Sequence, residues 1–426
     1  MDNGLKFQSK PFNLHFILAA GLLFTGKAHS VDWPEFQGGS AQGHATKGTK
    51  LPLEWSTQKN VAWKQALPGE GWSTPIIWKG HLYLTAAVAK DEGLKADREL
   101  RALCLEASSG RVVWDKSVFS QDGASAPRIH KKNSHASPTP VITPDGKLYV
   151  HFGHQGTACL NLEGNVLWRN RTINYPPVHG NGCSPLVVGD KLFFSCDGSR
   201  DPFVIALNRH TGKTAWRKER NANAKKKFAF CTATLIEVNG SQQIISPGGD
   251  AVMAYDPDSG KEIWRVRYDG YSVVPRPVYG HGLVFLSSGF DRPTFYAIKP
   301  TGKGDVTESH IAWKLTKSAP HTPSPLLVDN EIYLISDGGI GTCLDARTGE
   351  VHWRERICSS CSASPFYADG RIYIIDESGK GVVFKASKKF EKLAENEIGE
   401  RTLASCAVGD NAFYLRSDKH LYKIVN

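Results

Sequence analysis

Methionine is almost missing from these 426 residues, which contain only 2, and long hydrophobic runs are missing altogether. The longest, FILAAGLLF, extends only from Phe16 to Phe24, whereas a helix that crosses a bilayer needs about 20 residues. A membrane-spanning helix is therefore not expected. Neither GxSxG nor HExxH occurs, so the chain offers no nucleophile elbow and no zinc-protease helix. Runs of charge are short as well. Lys225-Lys226-Lys227 and Lys388-Lys389 are scattered and read as solvated loops, and no nucleic-acid motif accompanies them.

What is present at the start is a secretory pattern. Lys6 and Lys10 precede the apolar stretch, and Ala28-His29-Ser30 puts small residues at the −3 and −1 positions of a cleavage site before Val31. The expectation is a signal peptide over residues 1–30 and a mature, periplasmic or secreted protein. No cysteine adjoins the cut, so a lipid anchor is not expected. The formal charge is +10, and residues 1–30 carry Lys6, Lys10 and Lys27 against Asp2, which leaves +8 for the rest. Gly (41) and Pro (23) are abundant and aromatics reach 10%, which suits short strands joined by tight turns.

The chain also repeats. Short apolar strands lead through a polar, Gly-bearing turn into second strands that end at Trp114, Trp168, Trp216, Trp264 and Trp353, as in Leu207-Asn-Arg-His-Thr-Gly-Lys-Thr-Ala-Trp216. Trp313 closes a longer version, and Trp63 stands ahead of the set. Glycine supplies the positive φ that such hairpins need. Upstream of each lies another hairpin that opens near a Ser/Thr-Pro, as at Thr74-Pro75, Thr139-Pro140, Ser184-Pro185, Ser324-Pro325 and Ser364-Pro365. Two hairpins per repeat give four antiparallel strands, the content of a propeller blade.

First hairpins open near Pro75, Pro140, Pro185, Thr234, Pro277, Pro325, Pro365 and Ser405, so the expected fold is all-β, an eight-bladed propeller over 61–426 behind a wrapping segment, 31–60. The seventh repeat lacks its tryptophan, and Leu393 takes the place. The eighth lacks a fourth strand, which Val61-Ala62-Trp63-Lys64 supplies, so that the ring closes and leaves no sheet edge.

The Trp-ended strand after a D-x-x-[ST]-G turn resembles the pyrroloquinoline-quinone-like (PQQ-like) repeat, whose tryptophan docks between neighbouring blades. Segments such as GWSTP, SSGFDRP and HTPSPLL, with Trp33-Pro34-Glu35-Phe36, are similar to exported propellers of planctomycete-like bacteria, and more distantly to the propeller lipoprotein of the outer-membrane barrel-assembly machine. The resemblance implies docking roles for the seven tryptophans, and a binding or assembly scaffold with a protein or cell-envelope partner. The other relatives are quinoprotein dehydrogenases, which hold PQQ over a tryptophan floor with calcium on carboxylate and amide oxygens. They also carry a disulfide between adjacent cysteines, and no two cysteines are adjacent here. Calcium needs several converging oxygens, and no local run provides them. A PQQ-dependent oxidoreductase is the alternative reading.

Propeller geometry puts the turns between strands two and three, and the links between blades, on one face. That face collects the unusual residues: Trp72, His135, His154 and His179, then Asp250, Arg276, Asp291 and His321. Functional groups gather on loops held by a rigid scaffold. His135, His151, His154 and His179 come close enough in sequence order to suggest a zinc site, but without a motif no metal is expected. Of nine cysteines, Cys358 and Cys361 share a polar loop and are expected to form a disulfide in an oxidising compartment. The protein is expected to be a monomer that does not bind nucleic acid.

Overall fold

The computed structural model describes residues 31–426 apart from 94 and 223, together with 1, 2 and 4. The segment expected to be a signal peptide thus lies almost wholly outside the described residues. The described residues form eight antiparallel four-stranded blades of a propeller, one of them joined by a short fifth strand from the next blade. Blade 1 runs through Ile76–Trp78, His81–Ala89, Arg98–Glu106 and Val112–Gln121. The innermost strands of blades 2 to 8 begin at Val141, Leu186, Thr234, Val278, Leu326, Phe366 and Ala407, at the hairpins expected from sequence. Middle strands such as Lys191–Cys196 are buried over almost their whole length, because both faces pack against neighbouring blades. Outermost strands such as Thr214–Glu219 are largely exposed.

Ring closure is as expected. Val61–Ala66 pairs antiparallel with His420–Val425 and completes blade 8 as its outermost strand.

The repeated tryptophans cement blade to blade. The indole N–H of Trp63, Trp114, Trp168, Trp216, Trp313 and Trp353 donates to a backbone carbonyl in the next blade's outer hairpin, at 2.8–3.2 Å. Five of these rings lie flat over the hairpin's glycine: Gly110, Gly164, Gly212, Gly260 and Gly349. A Cβ there would come within 2.5–2.9 Å of the indole, so glycine is required by close approach as well as by its positive φ. Trp264 departs from the pattern. The blade 5 hairpin is extended, its Gly304–Asp305 pairs parallel with Trp264 and Arg265, and the Trp264 indole donates to Gln243 of its own blade at 2.9 Å.

Blade 7 holds a correction to the sequence reading. In other blades the docking indole meets an aromatic of the same blade's second strand, as Trp114 meets Tyr83 and Trp353 meets Tyr333. In blade 7 the equivalent Tyr373 is stacked by Trp55, 6.3 Å away, which also meets Phe413 of blade 8 edge-on. Leu393 is merely half-buried beside them. The tryptophan missing from the repeat is supplied by the N-terminal segment.

That segment also closes one end of the central channel. Trp33 bridges Ile77 of blade 1, the Pro34 carbonyl accepts the Ile142 N–H of blade 2, and His44 bonds the Leu327 carbonyl of blade 6 and bridges Tyr367 of blade 7. These partners all belong to innermost strands, near the ends that carry the first turns. Residues 33–44 therefore cross the channel on the face opposite the long loops.

Candidate functional site

On the loop-rich face the channel stays open as a cavity of about 570 Å3 whose floor includes Phe36. Its lower wall explains the Ser/Thr-Pro motif. Thr139 Oγ1 accepts the Thr74 N–H at 3.0 Å, Ser184 Oγ accepts the Thr139 N–H at 2.9 Å, and Thr232 Oγ1 accepts the Ser184 N–H at 3.0 Å. Ser324, Ser364 and Ser405 repeat this across blades 5 to 8 at 2.9–3.0 Å. The hydroxyl ties one blade to the next, and the proline that follows Thr139, Ser184, Ser324 and Ser364, lacking an N–H, starts the strand without leaving a donor unmet.

Arg276 breaks this belt. It stands where blade 5 would place a hydroxyl, is fully buried, and turns down to the floor. Its guanidinium donates to the Ala233 and Phe36 carbonyls and to the Glu35 carboxylate at 2.9 Å. The sequence reading placed Arg276 among the unusual residues of the loop-rich face. The structure makes it the clamp on the segment that floors the channel.

Above the belt, aromatic rings follow one another around half of the mouth. His130, His179, Phe228, Tyr271, Phe290 and His321 are linked in order, ring centroids 5.4–5.9 Å apart and mostly edge-to-face. All six line the cavity, and Phe290 is 51% exposed. Lys226 Nζ sits 4.3 Å over the Tyr271 ring and donates to its hydroxyl at 2.7 Å, which raises the ammonium pKa. Across the mouth the Arg401 guanidinium lies 5.3 Å from the Trp72 ring. Cations over aromatic faces are attracted by the ring quadrupole.

The sequence candidates therefore divide. Trp72, His179 and His321 line the cavity. His135 and His154 sit away from it. His135 bonds Gln121 at 3.0 Å, and His154 bonds Gln155 and Asn181. Asp250 and Asp291 occupy positive-φ turns outside the lining. Cys358 and Cys361, expected as a disulfide, bring their Sγ atoms to 2.7 Å of each other. Sequence reasoning missed Phe228, Tyr271 and Phe290. The signal available was an aromatic beside Gly or Lys in a polar link, as in SSGFDRP and KKKFAF.

The four histidines whose nearness in sequence suggested a zinc site split in the same way. Among the described residues no group of three His, Cys, Asp or Glu side chains is placed to hold a metal ion. His151 is fully buried, bonded to Thr157 at 2.8 Å and packed 4.2 Å from the Phe194 ring. Burial, then the neighbouring His154, depresses its pKa to about 3; burial, then Arg98 and His154, takes His135 to about 4. Both stay neutral in the folded chain, whereas an unfolded histidine titrates near 6.5. Their stabilisation is thus complete above about pH 6.5 and is lost as pH falls toward these values. We expect acidification from pH 7 to 5, where carboxylates scarcely titrate, to cost about 2 kcal/mol through His151 alone. Urea melts should show the loss, and a flat profile over that range would contradict it.

The oxygens that a cation in the channel would need are already in use. Among the described residues Asp337 is the lining carboxylate. Its Oδ2 accepts the His321 and Thr322 N–H groups at 2.7 and 3.1 Å, and its Oδ1 accepts the Thr322 hydroxyl at 2.6 Å. Asn133 Oδ1 accepts from Ser134 and Ser137. The donor set as folded does not assemble the coordination of calcium.

The sequence profile of a family described as outer membrane protein assembly factor BamB matches residues 45–196, 85–225 and 200–425. The chain belongs to this family of PQQ-like repeat propellers. Among curated proteins it is similar to methanol dehydrogenase [cytochrome c] subunit 1 of Methylobacterium organophilum, with 29% identity over 32% of this chain and 24% of that protein. It is also similar to a quinoprotein ethanol dehydrogenase of Pseudomonas putida, with 28% identity over 36% and 26%. The chain thus spans about a quarter of the length of these relatives. Among solved structures, BamB from Moraxella catarrhalis superposes with a TM-score of 0.61 at 13% identity, over 86% of this chain and 97% of that one. Quinohemoprotein alcohol dehydrogenase from Comamonas testosteroni superposes with a TM-score of 0.63 at 13% identity, over 93% and 80%. At such identities the shared property is the PQQ-like propeller fold. The loops of this family member carry the argument for its function. Among its described residues no helix is long and apolar enough to cross a membrane.

Proposed function

We propose that the protein is an exported binding or assembly propeller that captures a protein or cell-envelope partner at the mouth of its channel. The observation that carries this reading is the arc from His130 to His321. It is an apolar rim held by rigid blades, with Phe290 presented to solvent and cations laid over Tyr271 and Trp72. Exposed aromatics bordered by polar groups mark interaction sites, and aromatic anchors dominate binding energy. Export is supported by the Lys6–Ser30 pattern in the sequence and by a family described as an outer membrane assembly factor.

The quinoprotein reading is favoured by one observation, the place of Trp72 on the channel wall, where it could stack a flat cofactor. The engaged oxygens of Asp337 and Asn133 weigh against it. A ligand selective for the folded state raises the melting temperature. We expect PQQ with calcium to leave the melting temperature unchanged, and the mixture to reduce no artificial electron acceptor with alcohols or sugars. Dye reduction that disappears in Trp72→Ala would move the protein to the oxidoreductases.

A further inference from the structure

The hydroxyl belt points to the chemistry of the partner. Each Ser or Thr hydroxyl has one proton to donate and two lone pairs. In Thr139, Ser184, Thr232, Ser324, Ser364 and Ser405 a lone pair is taken by the neighbouring blade's N–H. None of the six donates its proton to a protein acceptor among the described residues, and all six line the cavity. The channel thus presents a ring of spare donors around its axis. Nearby charge has the same bias. Lys226 and Arg401 rest on aromatic rings and form no ion pair among the described residues, while Asp337 has both oxygens occupied. Among the described residues the cavity holds no negatively charged acceptor with its oxygens free.

Shape adds a second constraint. The channel is blind, since Phe36 forms part of its floor and Arg276 and Glu35 fix Phe36 in place. A chain that enters must present an end rather than pass through. Beside the donors the walls also carry apolar groups, Phe230, Leu403 and Val274. A neutral sugar end brings about as many donors as acceptors and would leave the cations uncompensated. A polypeptide end brings a carboxylate, accepting only, followed by side chains.

Resting on the binding reading, we propose that the channel receives the carboxyl terminus of a partner polypeptide. The terminal carboxylate accepts from the hydroxyl belt, and the apolar side chains of the last residues lie against Phe228, Tyr271 and Phe290. Hydrogen bonds to an ionised acceptor are the strong ones, and the belt lets the carboxylate be held without a metal.

The test uses the full mature chain and a labelled hexapeptide library with its last four positions randomised, made in free-acid and carboxamide forms. Selection on the free-acid pool should return peptides with apolar final residues. Fluorescence anisotropy on individual hits should show binding weakened about tenfold or more by amidation, the effect of about 1.4 kcal/mol. Binding should weaken similarly in Phe290→Ala, an exposed position where folding is not at risk, and to a lesser degree in Lys226→Met. Equal binding of acid and amide forms, or an empty free-acid selection, overturns the proposal. So does displacement of the hits by an oligouronate at matching concentration, which would assign the belt to an acidic sugar. Any of these results leaves the binding reading standing if partners still cross-link at Phe290.

Discussion

Deleting residues 31–66 should abolish the folded state at ordinary temperatures rather than trim it. The deletion removes the outermost strand of blade 8 and leaves His420–Val425 as an open edge. It also withdraws Trp33 and Trp55, 3% and 2% exposed, from the largest apolar cluster. A buried tryptophan replaced by alanine costs about 3–5 kcal/mol, so the two together approach the entire stability of a typical domain, about 5–15 kcal/mol. The graded version is Trp55→Ala, for which a loss of about 3–5 kcal/mol is expected in urea denaturation, because blade 7 has no tryptophan of its own to fill the space. A truncated chain that melts together with the chain beginning at Val31 would remove the case for closure by the N-terminal segment.

Breaking the Asp197–Arg220 pair is the second large effect. The Asp197 carboxylate and the Arg220 guanidinium form two bonds of 2.7 and 2.8 Å, with side chains 0% and 1% exposed. Arg220 continues to the carbonyl and hydroxyl of Ser246, both at 2.9 Å, and so joins blade 3 to blade 4. Asp197→Ala leaves a buried guanidinium without its counter-ion, and the expected cost is about 3–5 kcal/mol. Arg220→Met added to it should recover much of that loss, since two apolar groups of similar volume carry no unpaired charge. Equilibrium unfolding of both single variants and the double variant measures the coupling. Additive losses would show that the pair is not an energetic unit. The complete burial of Asp197 assigns it to holding blades together.

The repeat made the fold legible because each blade writes the same physical requirement into sequence. A tryptophan must lie on a glycine, and a hydroxyl must meet a neighbour's N–H before a proline. Trp264 and Trp55 show the limit. Trp264 fits the spacing yet bonds within its own blade, because the extended blade 5 hairpin replaces the usual docking surface. Trp55 lies outside the repeat and fills the place assigned to Leu393, a long-range substitution that spacing cannot report.

The site was legible in part. Histidine drew attention to His179 and His321 because a polar ring on a connecting loop is conspicuous in sequence. The rings between them, Phe228, Tyr271 and Phe290, looked like ordinary hydrophobes, and only the circular arrangement of blades brings them into one arc. Arg276 was counted among the unusual residues of the loop-rich face. Its partners are Glu35 and Phe36, some 240 residues away in sequence, so its role as a clamp could not be inferred from neighbours.

Photo-cross-linking from the channel mouth tests the account most directly. A photoreactive amino acid at Phe290 or Tyr271 is compared, in cells that produce the protein, with one at Val113, which is 42% exposed on the outermost strand of blade 1. The account predicts discrete adducts of the same partner from both mouth positions, lost when Phe228→Ala is added, and none from Val113. Adducts from Val113 with a silent mouth, in protein that melts normally, would contradict it.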